Sequence, residues 1–455
     1  MVNFTSNSHK QWAIGVLGTL LISTAYQAGG VLIAFALLAL PLAATMAVRI
    51  SGLFLVLFIL FSYFRLHEAF PVLMPFKFPK LFALASIVGI AWHLIVTQRL
   101  QPHWHSSLLI FAMMFGWLTV STFMAINTGL AIAYWSGTLT KVFIMVYAIS
   151  WWIRDEATFA WIRLGIMLSG VSVSCVALYN KANGIGLVEG TRVSISRDLR
   201  SQLGDPNDLS LVLMFPVSFL AAEVFNKGAS NFRRCLATIG LITAISGIIA
   251  TQSRGGLLGI CAVLGYFFYQ RVRNIYITGA AGLIGIMLLA IVAGIGDRQS
   301  GGEAEAGVDA SAMGRLYAWQ AAFNMALSNP LTGVGIDNFY ANYYFFSPHW
   351  DGKNHAVHST WFQVLAETGF VGLVLFITLI VSIFRILRRT QHMPVVLQRP
   401  SMLAVNQSLQ AGMLAFCVSG TFLTQAFTWP LYIILGLAVA FERYAQSQSI
   451  AQEIR

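Results

Sequence analysis

Asn274-Ile-Tyr-Ile-Thr-Gly-Ala-Ala-Gly-Leu-Ile-Gly-Ile-Met-Leu-Leu-Ala-Ile-Val-Ala-Gly-Ile295 contains no charged side chain. As a helix it is long enough to cross a hydrocarbon layer roughly 30 Å thick. The chain then turns polar from about Gly296 to Ser359 and returns to an apolar run at 360–386. A long polar segment held between two spans, rich in Arg, His, Asp and aromatic residues, is a candidate functional element.

Similar apolar runs recur along the chain, near 12–27, 29–48, 50–64, 81–97, 107–126, 132–153, 160–179, 209–226, 233–252, 255–270, 403–421 and 424–441. The 455 residues are 57% hydrophobic and 10% charged, against about 25% charged in soluble domains. The runs are continuous rather than alternating, which argues against a β-barrel. The expected fold is therefore all-α: a polytopic helical membrane protein with about 12 to 14 transmembrane helices and a helical extracytoplasmic loop. Three regions follow: helices and the 180–208 loop within 1–295, the large loop 296–359, and a C-terminal set at 360–455 with a cytoplasmic tail. The run after Lys10 is superficially like a signal peptide, but further spans follow at once, so it reads as a retained first helix.

The net charge of +11 does not imply nucleic acid, because Lys and Arg cluster in short loops between spans. Lys227, Arg233 and Arg234, then Arg271 and Arg273, then Arg385, Arg388, Arg389 and Arg399 fall on one side by span counting. The positive-inside rule makes that side cytoplasmic. Loop 180–208, the turn Thr251-Gln-Ser-Arg254-Gly-Gly256 and loop 296–359 then share the opposite face. The segment from Arg65 to Lys80 looks basic, yet counting puts it outside as well. Cys175, Cys235, Cys261 and Cys417 show no metal spacing and read as buried small hydrophobes.

Arg254, in a tight turn followed by two glycines, reads either as a guanidinium fork for phosphate or as an interfacial anchor. Met313 to Leu327 predicts an amphipathic helix with Arg315 in its first turn, ended by Asn329-Pro330. Arg315 could hold a pyrophosphate or simply be solvated. His349, His355 and His358, with Asp351, match no tight metal signature. His358 directly precedes an apolar run and is the candidate general base. Glu367, nine residues into that run, needs a partner, and structural support is the favoured role. Asp205 and Asn207, in Gly204-Asp-Pro-Asn-Asp208, open a span as a capping element. Arg192, Arg197 and Arg200 precede it as additional phosphate or sugar contacts. The chain has no Walker A loop, GxSxG elbow or HExxH motif. Its spans hold few charges apart from Glu223 and Glu367, which disfavours an ion-coupled transporter.

Taken in order, Gly204–Asp208, Ser253-Arg254-Gly255, Gly314-Arg315 with Trp319, Asn329-Pro330 before Gly333-Val-Gly335, and His358-Ser-Thr-Trp-Phe-Gln-Val-Leu-Ala-Glu367-Thr-Gly369 resemble the O-antigen ligase and polymerase superfamily. Arg65, Glu68 and Pro71 fit the same pattern. The resemblance implies a GT-C-like enzyme of the bacterial inner membrane with its site facing the periplasm. It implies transfer of a glycan from an undecaprenyl-pyrophosphate donor to a hydroxyl of lipid A-core or of a growing glycan, with no metal, nucleotide or other cofactor. Arg254 and Arg315 would bind the pyrophosphate and His358 would activate the acceptor, with Glu367, Asp205, Asn207, Arg192, Arg200 and His355 in support. A polysaccharide polymerase, a protein O-oligosaccharyltransferase and a flippase for the same lipid-linked glycans are the competing readings. The acidic stretch Asp297–Asp309, with Glu303 and Glu305, departs from the pattern.

Overall fold

A computed structural model describes residues 39–199, 201–293 and 310–453, with scattered residues between 19 and 31. Most of the expected first helix at 12–27, Arg200 and the acidic stretch 297–309 lie outside them. The described residues are helical almost throughout, with one isolated bridge between Val188 and Arg192.

The helices that matter here are α1 (Ser51–Phe64), α2 (Phe78–Val96), α3 (Ser106–Phe123), α4 (Thr128–Trp152), α5 (Glu156–Ala182), α6 (Pro206–Phe225), α7 (Asn231–Ala250), α8 (Arg254–Val272) and α9 (Ile275–Val292). They are followed by α10 (Ala310–Ser328), α11 (Phe339–Phe346), α12 (Thr360–Gln391), α13 (Pro400–Gly420) and α14 (Trp429–Glu453). Ten described helices are long and apolar enough to cross a membrane, or eleven with the pair Ala39–Arg49 and Ser51–Phe64, which is bent by 87°. The protein is a multi-pass helical membrane protein. The count is below the expected range because most of the first apolar run lies outside the described residues, the second and third form that bent pair, and α14 becomes polar from Glu442 onward.

Short polar residues start these helices. Asp155, Asp205, Ser230, Ser253, Asn274 and Ser359 each accept a backbone N–H of the first turn, satisfying donors that an apolar layer would leave exposed. Helix α6 is the centre of the bundle and packs on α5, α7, α8 and α13. By contrast α9, one of the most apolar runs, has no buried residue. In lipid an apolar surface needs no protein cover, so hydropathy marks spans but not interiors. The cysteines illustrate this and correct the sequence reading. Cys175 and Cys235 are exposed, while Cys261 and Cys417 are only half-buried, because an apolar position on a span can face lipid as readily as protein.

Contacts sort the loops onto two ends. At one end, Arg154 donates to the carbonyls of Arg99 and Gln101, Arg399 pairs with Glu156, and Arg233 pairs with Glu223. At the other, Arg65 donates to Gln202 and pairs with Glu68, and Ser201 donates to Glu68. Gln252 there donates to the carbonyl of Ala293, and Ile126 donates to Val334. The 65–76 segment therefore sits with loop 183–205, the turn at 251–253 and loop 310–359. A buried span charge escaped the sequence reading: Arg163 on α5 lies 3.2 Å from Glu223.

Candidate functional site

His358 is fixed from both sides along the backbone. Trp319 on α10 donates its indole N–H to the Val357 carbonyl at 3.1 Å. The His358 N–H donates to Thr424 Oγ1 at 3.0 Å. Ser359 caps α12, and Thr360 Oγ1 donates to the Leu423 carbonyl at 2.8 Å. His358 itself has φ 46°, a left-handed conformation that a non-glycine residue adopts only where its surroundings impose it. These anchors turn the chain sharply between loop and helix, and the imidazole is carried on that corner. Burial holds the His358 pKa below the ordinary histidine value, and the nearby positive charge of Arg315 lowers it further. The ring is therefore neutral at neutral pH. Asp205, His355 and Arg192 also act on its charge, so groups that the sequence separates by as many as 166 positions share one electrostatic neighbourhood.

Arg315 lies in the second turn of α10, one turn later than expected, because the helix begins at Ala310 rather than Met313. Its guanidinium carbon is 6.0 Å from the centre of the Phe422 ring, the range of a cation–π contact. Arg254 is the first residue of α8 and half-buried. A side chain at its neighbour Gly255 would meet Phe422 Cβ at 3.4 Å, and one at Gly256 would meet Ser210 Cβ at 2.8 Å. Ser419 Oγ donates to the Gly255 carbonyl at 2.9 Å. The two glycines thus serve close packing of α8 on α6 and α13, rather than the direct ligand approach their position suggests in sequence. Phe422 touches the segments that carry both arginines.

The stretch Thr421–Thr428, between α13 and α14, was missed in the sequence because it holds no charge. It receives Arg315 through Phe422 and His358 through Thr424. It also binds Trp361 through Thr421 and Asp208 through Gln425, at 3.1 and 2.7 Å. A polar interruption such as Thr-Phe-Leu-Thr-Gln between two spans was the available signal.

Asp205 caps α6 by accepting the N–H groups of Asn207 and Asp208 at 2.7 and 3.2 Å. Arg192 is buried. Its Nη2 donates to Asn207 Oδ1 at 2.9 Å, and its Nε donates to the Thr251 carbonyl at 3.1 Å. It clamps loop 183–205 to the turn that bears Arg254 and adds positive charge behind the site. Arg197 is exposed on a short turn at Arg197–Leu199. His355 stays at the surface, 3.0 Å from both Asp351 oxygens. His349 stacks on Tyr317 with ring centres 4.0 Å apart. Among the described residues no group of three His, Cys, Asp or Glu side chains is placed to hold a metal ion.

Glu367 and Gly369 have a structural logic that spacing alone conceals. Gly369 breaks α12 with φ 69° and ψ −171°. The freed carbonyls find other donors: Val334 N–H on Ala366 at 2.8 Å, Ser121 Oγ on Glu367 at 2.8 Å, and Trp117 Nε1 on Thr368 at 3.1 Å. Gly333, with φ 65°, faces this break, and a Cβ there would lie 2.4 Å from the Ala366 oxygen. The buried Glu367 carboxyl oxygen accepts the Phe339 N–H at 3.3 Å and caps α11. The two motifs are halves of one joint that fastens α10 and α11 onto α12, with Ala318, Ala322, Met325, Phe339, Tyr343 and Val357 in a small core of their own.

The fold and the clustered polar face define a multi-pass membrane protein with a chemically equipped loop face. Residues 239–377 match the family model described as O-antigen ligase. That stretch runs from α7 into α12 and contains Arg254, Arg315, His358 and Glu367. The match supports the O-antigen ligase and polymerase superfamily on that stretch, and a ligase- or polymerase-type function with it. No curated protein matches the chain.

Proposed function

We propose that the protein transfers a glycan from undecaprenyl pyrophosphate to an acceptor hydroxyl at the periplasmic face of the bacterial inner membrane, as an O-antigen ligase does for lipid A-core. The observation that carries this reading is the neutral, backbone-locked His358 in the same electrostatic neighbourhood as Arg315. The acceptor oxygen attacks the anomeric carbon while His358 takes its proton. The bond from that carbon to the pyrophosphate oxygen breaks, and undecaprenyl pyrophosphate leaves with the electron pair. Arg254 and Arg315 bind the diphosphate and stabilise the charge that grows on it. The leaving group is already activated, so the reaction requires no nucleotide.

Deletion and point variants in cells test this. With His358→Ala, lipid-linked donor accumulates on the outer leaflet and joined glycan disappears. Donor accumulating on the cytoplasmic leaflet would favour an exporter, and persistence of full-length surface glycan would overturn the catalytic assignment.

A further inference from the structure

At the end of the bundle away from His358, α5, α6 and α7 enclose a groove of about 520 Å³. Its walls are apolar: Leu164 and Leu168 on α5, Leu220 on α6, and Leu236, Ile239 and Gly240 on α7. Four of these, Leu164, Leu168, Leu236 and Ile239, are 41 to 58% exposed, so the groove opens sideways to the surroundings of the spans. Along α5 it runs from Ala160 to Val171, which at 1.5 Å per residue is about 16 Å. That is about half of a ~30 Å hydrocarbon core, the depth of one leaflet.

The mouth of the groove is charged and unbalanced. Arg163, only 8% exposed, has Nη1 3.2 Å from Glu223 Oε2. Arg233, half-exposed, donates Nη2 to Glu223 Oε1 at 2.6 Å. Asn226 donates to Oε2 at 3.3 Å. Two guanidiniums therefore share one carboxylate. Glu156 also acts on Arg163, but it is bound by Arg399 and Ser401. The buried Nε of Arg163 has no hydrogen-bond partner among the described residues. An excess positive charge at the head of an apolar, laterally open, leaflet-deep groove requires an anion with a hydrocarbon tail.

We propose that this groove is a binding site for an anionic glycerophospholipid of the leaflet opposite the His358 face. One acyl chain lies along α5 and α7, and the phosphate caps Arg163 and Arg233. The site is separate from the loop face and independent of the reaction assigned there.

Purified full-length protein in a nonionic detergent is titrated with dioctanoyl phosphatidylglycerol, dioctanoyl phosphatidylcholine and inorganic phosphate, following the thermal midpoint. Phosphatidylglycerol raises the midpoint with saturation, and the other two do so at least about tenfold more weakly. Arg233→Gln, at a half-exposed position, weakens the phosphatidylglycerol response by about tenfold, the loss of one charge-assisted contact. Leu236→Trp, which fills the groove from its exposed wall, removes the response with both arginines intact. An equal response to phosphate identifies a free-anion site, and an equal response in either variant places the lipid elsewhere. Each of these outcomes overturns the proposal.

Discussion

Thr424 Oγ1 accepts the backbone N–H of His358 at 3.0 Å across 66 positions of sequence. This bond ties the corner carrying the imidazole to the segment whose Phe422 ring meets Arg315. The relation makes Thr424 a positioning residue for the proposed reaction. Thr424→Val removes the acceptor and should lower kcat by about tenfold, the worth of one well-made hydrogen bond. Thr424→Ser should restore most of the loss, with KM for the donor unchanged in both. Equal loss in the two variants would mean that bulk, not the hydrogen bond, matters.

The pH profile follows from the direction of the His358 shift. A general base must be neutral to accept a proton, so activity is present above its pKa and falls as pH drops through it. Burial and then Arg315 hold that pKa below 6.5, so the acid limb of the rate should lie below 6.5. Removing the positive charge with Arg315→Gln should move the limb upward. An acid limb unmoved in the residual activity of that variant would separate Arg315 from His358.

Gly369 should resist substitution for a reason independent of chemistry. It needs φ 69°, and a Cβ would lie 2.3 Å from the Leu331 oxygen and 2.6 Å from that of Pro330. Gly369→Ala should cost about 3 kcal/mol of stability, read as a lowered thermal midpoint in detergent. Gly282→Ala is the control. It has no neighbour within 4 Å, and alanine favours a helix.

Glu367→Ala should leave the Phe339 amide without its buried acceptor and cost about 1–3 kcal/mol. The expected loss of activity follows from loosening of the joint that holds α10 and α11 on α12. Glu367→Gln keeps one carbonyl acceptor and should retain more of both stability and activity. Hydrogen exchange at residues 337–346 measures the loosening directly.

Much of this was legible from residues alone. Span after span was visible because an apolar run of helical length has one stable setting, and parity alone placed Arg254, Arg315 and His358 on one face. Capping by Asp205 was legible because Asp before Pro at a helix start has a local cause. Long-range pairing was not legible. Nothing local tells that Arg192 is consumed by Asn207 and Thr251, or that Gly333 and Gly369 fit each other across α12. Thr421–Thr428 was silent because its contribution is backbone and ring contact rather than charge. Arg163 was passed over because a single cation in a long apolar helix looks tolerable until its partner, Glu223 on the next helix, is known.

The most direct test is in vitro. Purified protein in detergent is given undecaprenyl-pyrophosphate-linked glycan and a hydroxyl acceptor, and donor binding and glycan transfer are measured separately for wild type, His358→Ala and Arg254→Gln with Arg315→Gln. His358→Ala should bind donor as wild type does while transfer falls by about 10²–10⁴-fold, and the double arginine variant should lose donor binding. Transfer by His358→Ala at the wild-type rate, or undiminished donor binding by the double variant, would contradict the account.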